Sequence, residues 1–78
     1  LENCSLRFEY VPVKKDLVGL TVVDVQRGCR WLMIAEIVNE QGESMYPYPE
    51  VRLEAGWTLK VCGSTDDLEG FTANRRGR

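Results

Sequence analysis

The chain has 78 residues, which is the length of one small domain. Twelve acidic and ten basic side chains give a net charge of −2, and three of the arginines lie in residues 75–78. Residues 1–74 therefore carry seven basic against twelve acidic groups, a net charge of −5. A body this acidic lacks the basic face that nucleic-acid binding requires, so we expect no nucleic-acid partner.

Cysteine and histidine usage limits the possible chemistry further. The sequence has no histidine and three widely spaced cysteines, Cys4, Cys29 and Cys62, so it predicts no structural zinc site and no other cofactor. Scattered thiols are typical of a reducing compartment, and we interpret Cys29 and Cys62 as small core residues. No apolar run is long enough for direct membrane insertion. Because the sequence begins at Leu1, we interpret it as part of a longer protein.

The first predicted element is a strand over residues 6–11, where apolar and charged side chains alternate up to Pro12. The next segment is ambiguous. Its valines, at positions 22, 23 and 25, favour a strand. A possible capping box, Thr21 with Asp24, favours a helix instead, and periodicity alone decides for neither.

Residues 31–38 form a nearly continuous apolar run, which predicts a central strand covered on both faces. Residues 39–43 are polar and contain Gly42, as expected for a hairpin turn. The return strand over residues 44–46 must be short or at an edge, because Pro47 and Pro49 follow it.

A turn at residues 54–56, with Gly56 at positive φ, leads into the last predicted strand. Trp57, Leu59 and Val61 alternate with polar residues, which indicates one buried face. A helix then follows, with Ser64 as its cap and Asp67 three residues on. We expect its apolar residues, Leu68 and Phe71, to pack back onto the sheet.

Taken in order, these residues resemble the TrkA C-terminal family, the C-terminal half of the RCK (regulator of conductance of potassium) module. The matching positions span roughly residues 6–72. They are Val13, Val18, Gly19, Thr21, Asp24, Asn39 at a strand end, Gly42, Pro47, Leu53, Gly56, Leu59, Val61, Gly63, Ser64, Leu68 and Phe71.

The resemblance implies an α+β domain with the order β-α-β-β-β-α, a mostly antiparallel sheet and two short helices. It makes residues 21–26 a helix and residues 1–78 one regulatory domain, with a core of about 6–72 and a flexible basic tail at 73–78. It further implies a cytoplasmic homodimer at the inner face of the membrane, joined to the rest of a potassium or other cation channel or transporter. A small nucleotide would be its ligand.

Five residues at the second strand and its return would line the ligand cleft at the dimer interface: Ile37, Val38, Asn39, Tyr46 and Pro47. The alternative is that Ile37 and Val38 are core residues and that Tyr46 and Pro47 only fill a sheet edge. Trp31 and Trp57 are candidate interface residues, with a core position as the alternative.

Two positions depart from the family pattern. Asn39-Glu40 stands where a basic residue is common, and a carboxylate there would repel a phosphate. Trp57 replaces an acidic residue that is normally exposed, which suggests a covered surface.

We expect no enzymatic activity, because no nucleophile or base has a recognisable partner to orient it. Glu36, inside the apolar run, is interpreted as a strand residue that points outward rather than a catalytic acid. The competing hypotheses are a purely structural homodimerisation module without a ligand and a regulator of an enzyme not involved in transport.

Overall fold

The computed structural model describes residues 5–76, with side chains described for residues 5–72. The elements are β1 (Leu6–Pro12), α1 (Val22–Gly28), β2 (Met33–Val38), β3 (Ser44–Met45), β4 (Thr58–Ser64) and α2 (Thr65–Arg76). The strands form one sheet in the order β1-β4-β2-β3, and every neighbouring pair is antiparallel. The predicted α+β fold class and the order β-α-β-β-β-α are confirmed.

The core lies on one face of this sheet. On β4, Leu59 and Val61 are buried, whereas Lys60 and Cys62 on the opposite face are only partly covered. The full set of buried apolar residues is Val11, Val13, Leu17, Val22, Val25, Leu32, Ile34, Ile37, Leu53, Leu59, Val61, Leu68 and Phe71. We call the uncovered side of the sheet, which carries Leu6, Phe8, Tyr10, Met33, Lys60 and Cys62, the open face.

The prediction that residues 31–38 are covered on both faces is wrong for the single chain. The strand begins only at Met33, and Met33 and Ala35 are exposed while Ile34 and Ile37 are buried. A register shift between Ile34 and Glu36 inserts one extra residue, so two apolar residues three positions apart both face the core. The bulge breaks the two-residue alternation of buried and exposed positions, so the sequence shows a continuous apolar run instead of an alternating pattern.

The segment whose sequence pattern was ambiguous between strand and helix forms helix α1. The Thr21 hydroxyl accepts a hydrogen bond from the Asp24 N–H (3.2 Å), and the Asp24 carboxylate accepts one from the Thr21 N–H (3.0 Å). The N–H groups of Val22 and Val23 donate to the carbonyls of Val51 and Pro49, both at 3.0 Å. With these first-turn donors satisfied, the helix forms despite its valines, and the helix implied for residues 21–26 is confirmed.

Helix α2 begins as predicted and extends further than predicted. The Ser64 hydroxyl accepts from the Asp67 N–H (3.1 Å) and donates to its carboxylate (2.9 Å), and Leu68 and Phe71 are buried. Helix α2 continues through residues 73–76 to Arg76, and the flexibility expected for residues 73–78 stays a prediction. Residues 77 and 78 lie outside the described residues.

The predicted turn glycines both adopt positive φ, at 81° for Gly42 and 87° for Gly56. The cysteine prediction is only half right. Cys29 is partly buried and packs against the core, but Cys62 lies on the open face, opposite Phe8 and Met33 in the sheet register. Cys4 lies outside the described residues.

Gln26 connects α1 to the sheet through its side-chain amide. Its Nε2 donates to the carbonyls of Cys29 (3.3 Å) and Leu32, and its Oε1 accepts from the Ile34 N–H (3.3 Å). Strand β3 pairs only with Ile37 and Val38, so the first half of β2 has no strand on that side. The Gln26 amide takes the place of the missing strand at Leu32 and Ile34.

We predict that Gln26→Ala lowers the free energy of unfolding by about 1–3 kcal/mol, because the Leu32 carbonyl and the Ile34 N–H lose their partner at a half-buried site. Urea unfolding measures the change. Gln41→Ala, at an exposed turn position, is the matched control and should change the free energy by less than about 0.5 kcal/mol. Equal effects of the two substitutions would contradict this role for Gln26.

Asp24 gives a pH-dependent prediction. The hydrogen bond from the Thr21 backbone N–H, followed by that with the Thr21 side chain, holds the pKa of the Asp24 carboxyl below its ordinary value of 3.8. A lowered pKa in the folded state means that the ionised carboxylate stabilises the fold at neutral pH and that this stabilisation is lost as the pH falls through the folded-state pKa.

We therefore expect Asp24→Asn to lower the free energy of unfolding by a constant amount above about pH 5, and by a shrinking amount below about pH 4. Urea unfolding of both proteins at a series of pH values measures the difference. A difference that is as large at pH 3 as at pH 7 would show that the ionised form is not what matters.

Candidate ligand site and dimer surface

A shallow groove opens where the open face meets the β3 edge of the sheet. It has a volume of about 380 Å³ and is lined by Ala35, Glu36, Ser44, Met45, Tyr46 and Lys60. The register explains this grouping, since Glu36 pairs with Lys60 on β4 and Ile37 pairs with Met45 on β3. We call this the β3 groove. Of the five predicted cleft residues, only Tyr46 lines it.

An exposed aromatic pair borders the β3 groove. The rings of Tyr46 and Tyr48 lie 4.6 Å apart between centroids and are tilted by 54°, and Tyr46 is 69% exposed. The Tyr48 N–H donates to the Tyr46 carbonyl (2.9 Å), so the chain turns tightly at Pro47 and brings the two rings together. Exposed aromatic faces of this kind stack on nucleobases. The sequence prediction missed Tyr48, although an aromatic residue on each side of a proline was the available signal.

Asn39 is committed to the turn between β2 and β3. Its side-chain oxygen accepts from the N–H groups of Gln41 and Glu43, both at 2.9 Å, and its Nδ2 donates to the Glu43 carboxylate at 2.9 Å. Its backbone N–H donates to the Glu43 carbonyl (2.9 Å). Because most of its hydrogen bonds lie within the turn, the main role of Asn39 in the single chain is to hold the hairpin. One side-chain N–H of Asn39 remains for a ligand.

Ile37 is fully buried, with 0% of its surface exposed, so the structure supports the alternative that it is a core residue. Val38 is half-buried and pairs with Ser44 on β3. Pro47 is half-buried as well. The hairpin brings Val38 and Asn39 to one end of β3 and Tyr46 and Pro47 to the other. These four remain the predicted ligand residues, and Ile37, which pairs with Met45 on β3, belongs to the core.

The lining of the β3 groove carries one acidic and one basic side chain, Glu36 and Lys60. Glu36 accepts a hydrogen bond from the Ser44 hydroxyl. Lys60 is the one basic residue in the lining, and its ammonium lies 4.8 Å from the centre of the Phe8 ring, a cation–π distance. Glu40, at the place where the family commonly has a basic residue, extends over Gly56, where an added Cβ would come within 2.5 Å of its carboxylate. With one charge of each sign in its lining, the groove has no excess of positive charge with which to bind a phosphate.

The two tryptophans differ in environment. Trp31 is 75% exposed in the turn before β2, with the Arg30 guanidinium 5.6 Å from the centre of its ring. Trp57 is half-buried and packs against the core, and its carbonyl accepts from the Val13 N–H (2.8 Å). Trp31 is thus available to a partner, whereas Trp57 belongs largely to the core. An interface role for either residue remains a prediction.

Two further properties concern only the part of the chain that the structure describes. Among residues 5–76, no group of three or more acidic or cysteine side chains is arranged to hold a metal ion. In the same range, no helix combines the length and the hydrophobicity needed to cross a bilayer.

We predict that Asn39→Ala lowers the free energy of unfolding by roughly 1–2 kcal/mol, because the turn N–H groups lose their shared acceptor. Thermal unfolding measures the loss. Glu43→Gln is the matched control, since a glutamine keeps an oxygen acceptor for the Asn39 amide, and it should be nearly neutral. An Asn39→Ala variant as stable as the parent would mean that the side chain does not hold the hairpin.

Comparison with solved structures identifies the fold of the chain. No protein-family model and no curated protein matches the sequence. Among solved structures, the chain is similar to the RCK C domain of the potassium transport protein KtrA in complex with cyclic diadenosine monophosphate. The TM-score is 0.76 and the identity 22%, over 88% of this chain and 82% of that one.

The chain is also similar to the GsuK channel bound to NAD, with a TM-score of 0.78 and 20% identity over 94% of this chain. It spans only 14% of that channel chain. A third similar structure is the GsuK RCK domain, with a TM-score of 0.75 and 18% identity, where the chain covers 17% of the longer protein. Identities this low establish shape rather than activity. The chain has the fold of an RCK C-terminal domain, as its sequence led us to expect.

Proposed function

We propose that the chain is the C-terminal regulatory domain of a potassium or other cation channel or transporter, and that it forms a homodimer that senses a small nucleotide. The observation that carries the proposal is the likeness to the KtrA RCK C domain. It covers most of both chains, and that domain is described in complex with cyclic diadenosine monophosphate. The GsuK channel, which shares the fold, is described as bound to NAD.

The surface next to the β3 groove supports an adenine-containing ligand. Tyr46 and Tyr48 offer exposed ring faces, and the groove beside them has room for a heterocyclic base. The remaining N–H of Asn39, at the other end of the hairpin, is a donor for a polar ligand group. A ligand that contacts two copies at once prefers one dimer arrangement and shifts the population toward it.

The gate that responds would lie elsewhere in a longer protein, since the chain spans 14% of the GsuK channel. As part of such a protein, the domain would sit in the cytoplasm at the inner face of the membrane. It would act by changing the arrangement of the two copies in the dimer rather than by catalysing a reaction. The sequence has no histidine, and Glu36 is engaged with Ser44 rather than with an activated nucleophile.

The competing function is a structural homodimerisation module without a ligand. The lining of the β3 groove favours it, because Lys60 is the one basic residue there and Glu36 offsets its charge, so the groove has no excess of positive charge for the phosphates of a nucleotide. In that case the similarity to nucleotide-binding RCK domains would extend to fold and assembly but not to ligand recognition.

Ligand binding is tested by melting the chain with cyclic diadenosine monophosphate, NAD or ATP at up to millimolar concentration. A ligand that binds only the native state stabilises it by about 2.7 kcal/mol at a hundredfold excess over Kd. For a domain of this size we expect Tm to rise by roughly 10 °C or more.

Tyr46→Ala should abolish the rise, because it removes an exposed ring of the aromatic pair without disturbing the core. Val18→Ala, a substitution of an exposed apolar residue that belongs to neither the predicted ligand site nor a predicted interface, is the matched control and should leave the rise intact. If none of the three nucleotides shifts Tm, or if Tyr46→Ala responds as the parent does, the ligand-sensing proposal fails and the structural alternative stands.

A further inference from the structure

The outer edge of β1 lies at the opposite side of the sheet from the β3 groove. Within residues 5–76, the sheet order ends at β1, so no strand pairs with this edge. The side chains of Leu6, Phe8 and Tyr10 on this strand are 70%, 60% and 60% exposed. A long edge strand with exposed apolar side chains is a template for another strand, and proteins commonly shorten, charge or cover such edges.

The backbone groups available on this edge follow from the register with β4. The Val13 N–H donates to the Trp57 carbonyl (2.8 Å), which continues the pairing of Val11 with Leu59. Backbone groups alternate in direction along an antiparallel pair, so Arg7, Glu9 and Val11 direct theirs toward β4. Leu6, Phe8 and Tyr10 direct their N–H and C=O groups outward. Pro12, which has no N–H, falls in this outward set.

The side chains of β1 are complementary to those of a second copy of the same strand. An antiparallel pairing about Phe8 would place Phe8 opposite Phe8, Leu6 opposite Tyr10, and Arg7 opposite Glu9 of the other copy. Because Leu6, Phe8 and Tyr10 direct their backbone groups outward, the Phe8–Phe8 pair and the two Leu6–Tyr10 pairs would exchange the hydrogen bonds between the two strands. Arg7 and Glu9 then meet at a non-hydrogen-bonded position, where Cα atoms approach to about 4.5 Å and side chains interact most closely.

The charge pattern disfavours two of the alternative two-fold registers, and among the registers it is the pairing about Phe8 that places Arg7 opposite Glu9. A pairing centred on Arg7 would place two arginines opposite each other, and one centred on Glu9 would oppose two carboxylates. Like charges directly opposite are destabilising in a sheet. Arg7 and Glu9 share the face of Val11, on the helix side, where the Arg7 guanidinium also donates to the Thr65 hydroxyl (3.2 Å). Since guanidinium has five N–H donors, it can keep this bond and pair with a carboxylate.

We propose that the outer edge of β1 is a homotypic interface, in which a second copy of the chain adds its own β1 antiparallel about Phe8. The product is a continuous eight-stranded sheet, held by main-chain hydrogen bonds and by two symmetry-related Arg7–Glu9 ion pairs. On the open face the apolar residues Leu6, Phe8 and Tyr10 of both copies form one strip. This interface needs no ligand and lies at the sheet edge opposite the β3 groove.

Charge-reversal variants of the 78-residue chain test the interface. Arg7→Glu and Glu9→Arg each oppose like charges at both symmetry-related positions, so each should weaken self-association roughly tenfold or more in sedimentation equilibrium. Mixed together, the two variants oppose unlike charges again and should form the mixed species in excess over either pure species. Native mass spectrometry measures these proportions, because the two variants differ in mass.

The double variant Arg7→Glu/Glu9→Arg is the folding control, since it carries both substitutions and restores the complementary pattern. It should self-associate as the parent does. Charge reversal at Glu54, an exposed residue outside β1, should have no effect on association.

The proposal is overturned if the parent chain does not self-associate at millimolar concentration, or if the two single variants associate as the parent does. It is also overturned if the two single variants form mixed and pure species in statistical proportions. That result would mean that the chain dimerises through a surface other than β1. Nucleotide-induced changes in Tm are a separate measurement, so failure here is distinguishable from failure of the ligand-sensing function.

Discussion

Strand β4 is hydrogen-bonded to β1 along one edge and to β2 along the other, and its inward side chains form the centre of the core. Leu59 and Val61 are almost completely buried, and at Gly63 an added Cβ would lie 2.4 Å from a Leu32 methyl carbon. The glycine thus lets the turn before β2 close over the start of α2. Because α2 begins directly where β4 ends, the strand also fixes the position of this helix.

The consequence of this arrangement is a sheet that is covered on one side only. In the single chain, apolar side chains such as Phe8, Tyr10 and Met33 remain on the open face, and both edges of the sheet are accessible. A domain of this length buries a modest share of its surface, so the proposed association with a second copy would supply burial that the single chain lacks. The β3 edge offers a groove with aromatic residues, and the β1 edge offers a self-complementary strand. The two edges thus offer two separate contacts: the proposed dimer contact that involves the ligand lies at the β3 groove, and the proposed contact that needs no ligand lies at β1.

Local patterns in the sequence predicted the elements whose signals are complete within a few residues. The alternation through Leu59 and Val61 and the cap formed by Ser64 and Asp67 were both confirmed, since each depends on neighbours in the chain. For residues 21–26, strand propensity and capping conflicted. The contacts that stabilise α1 there come from Pro49 and Val51, which no local pattern reveals. The resemblance to the TrkA C-terminal family predicted a helix for these residues, and this prediction was correct.

The features that the sequence did not predict depend on tertiary structure. The bulge at Ala35 turns two isoleucines to one face, so an apolar run appeared to be covered on both sides. Gln26 reaches six residues along the chain to Leu32 and eight residues to Ile34 in β2, and the ring of Tyr48 meets that of Tyr46 only because the chain turns at Pro47. For Ile37 the sequence left a cleft position and a core position open, and the tertiary packing, which buries it completely, decides for the core.

The central claim is that a nucleotide and a second copy of the chain stabilise each other. Sedimentation equilibrium of the chain with and without saturating cyclic diadenosine monophosphate tests this most directly, because linkage requires a ligand that favours the dimer to lower its dissociation constant. We predict a decrease of at least about fivefold. A dissociation constant that is unchanged at saturating ligand would contradict the account.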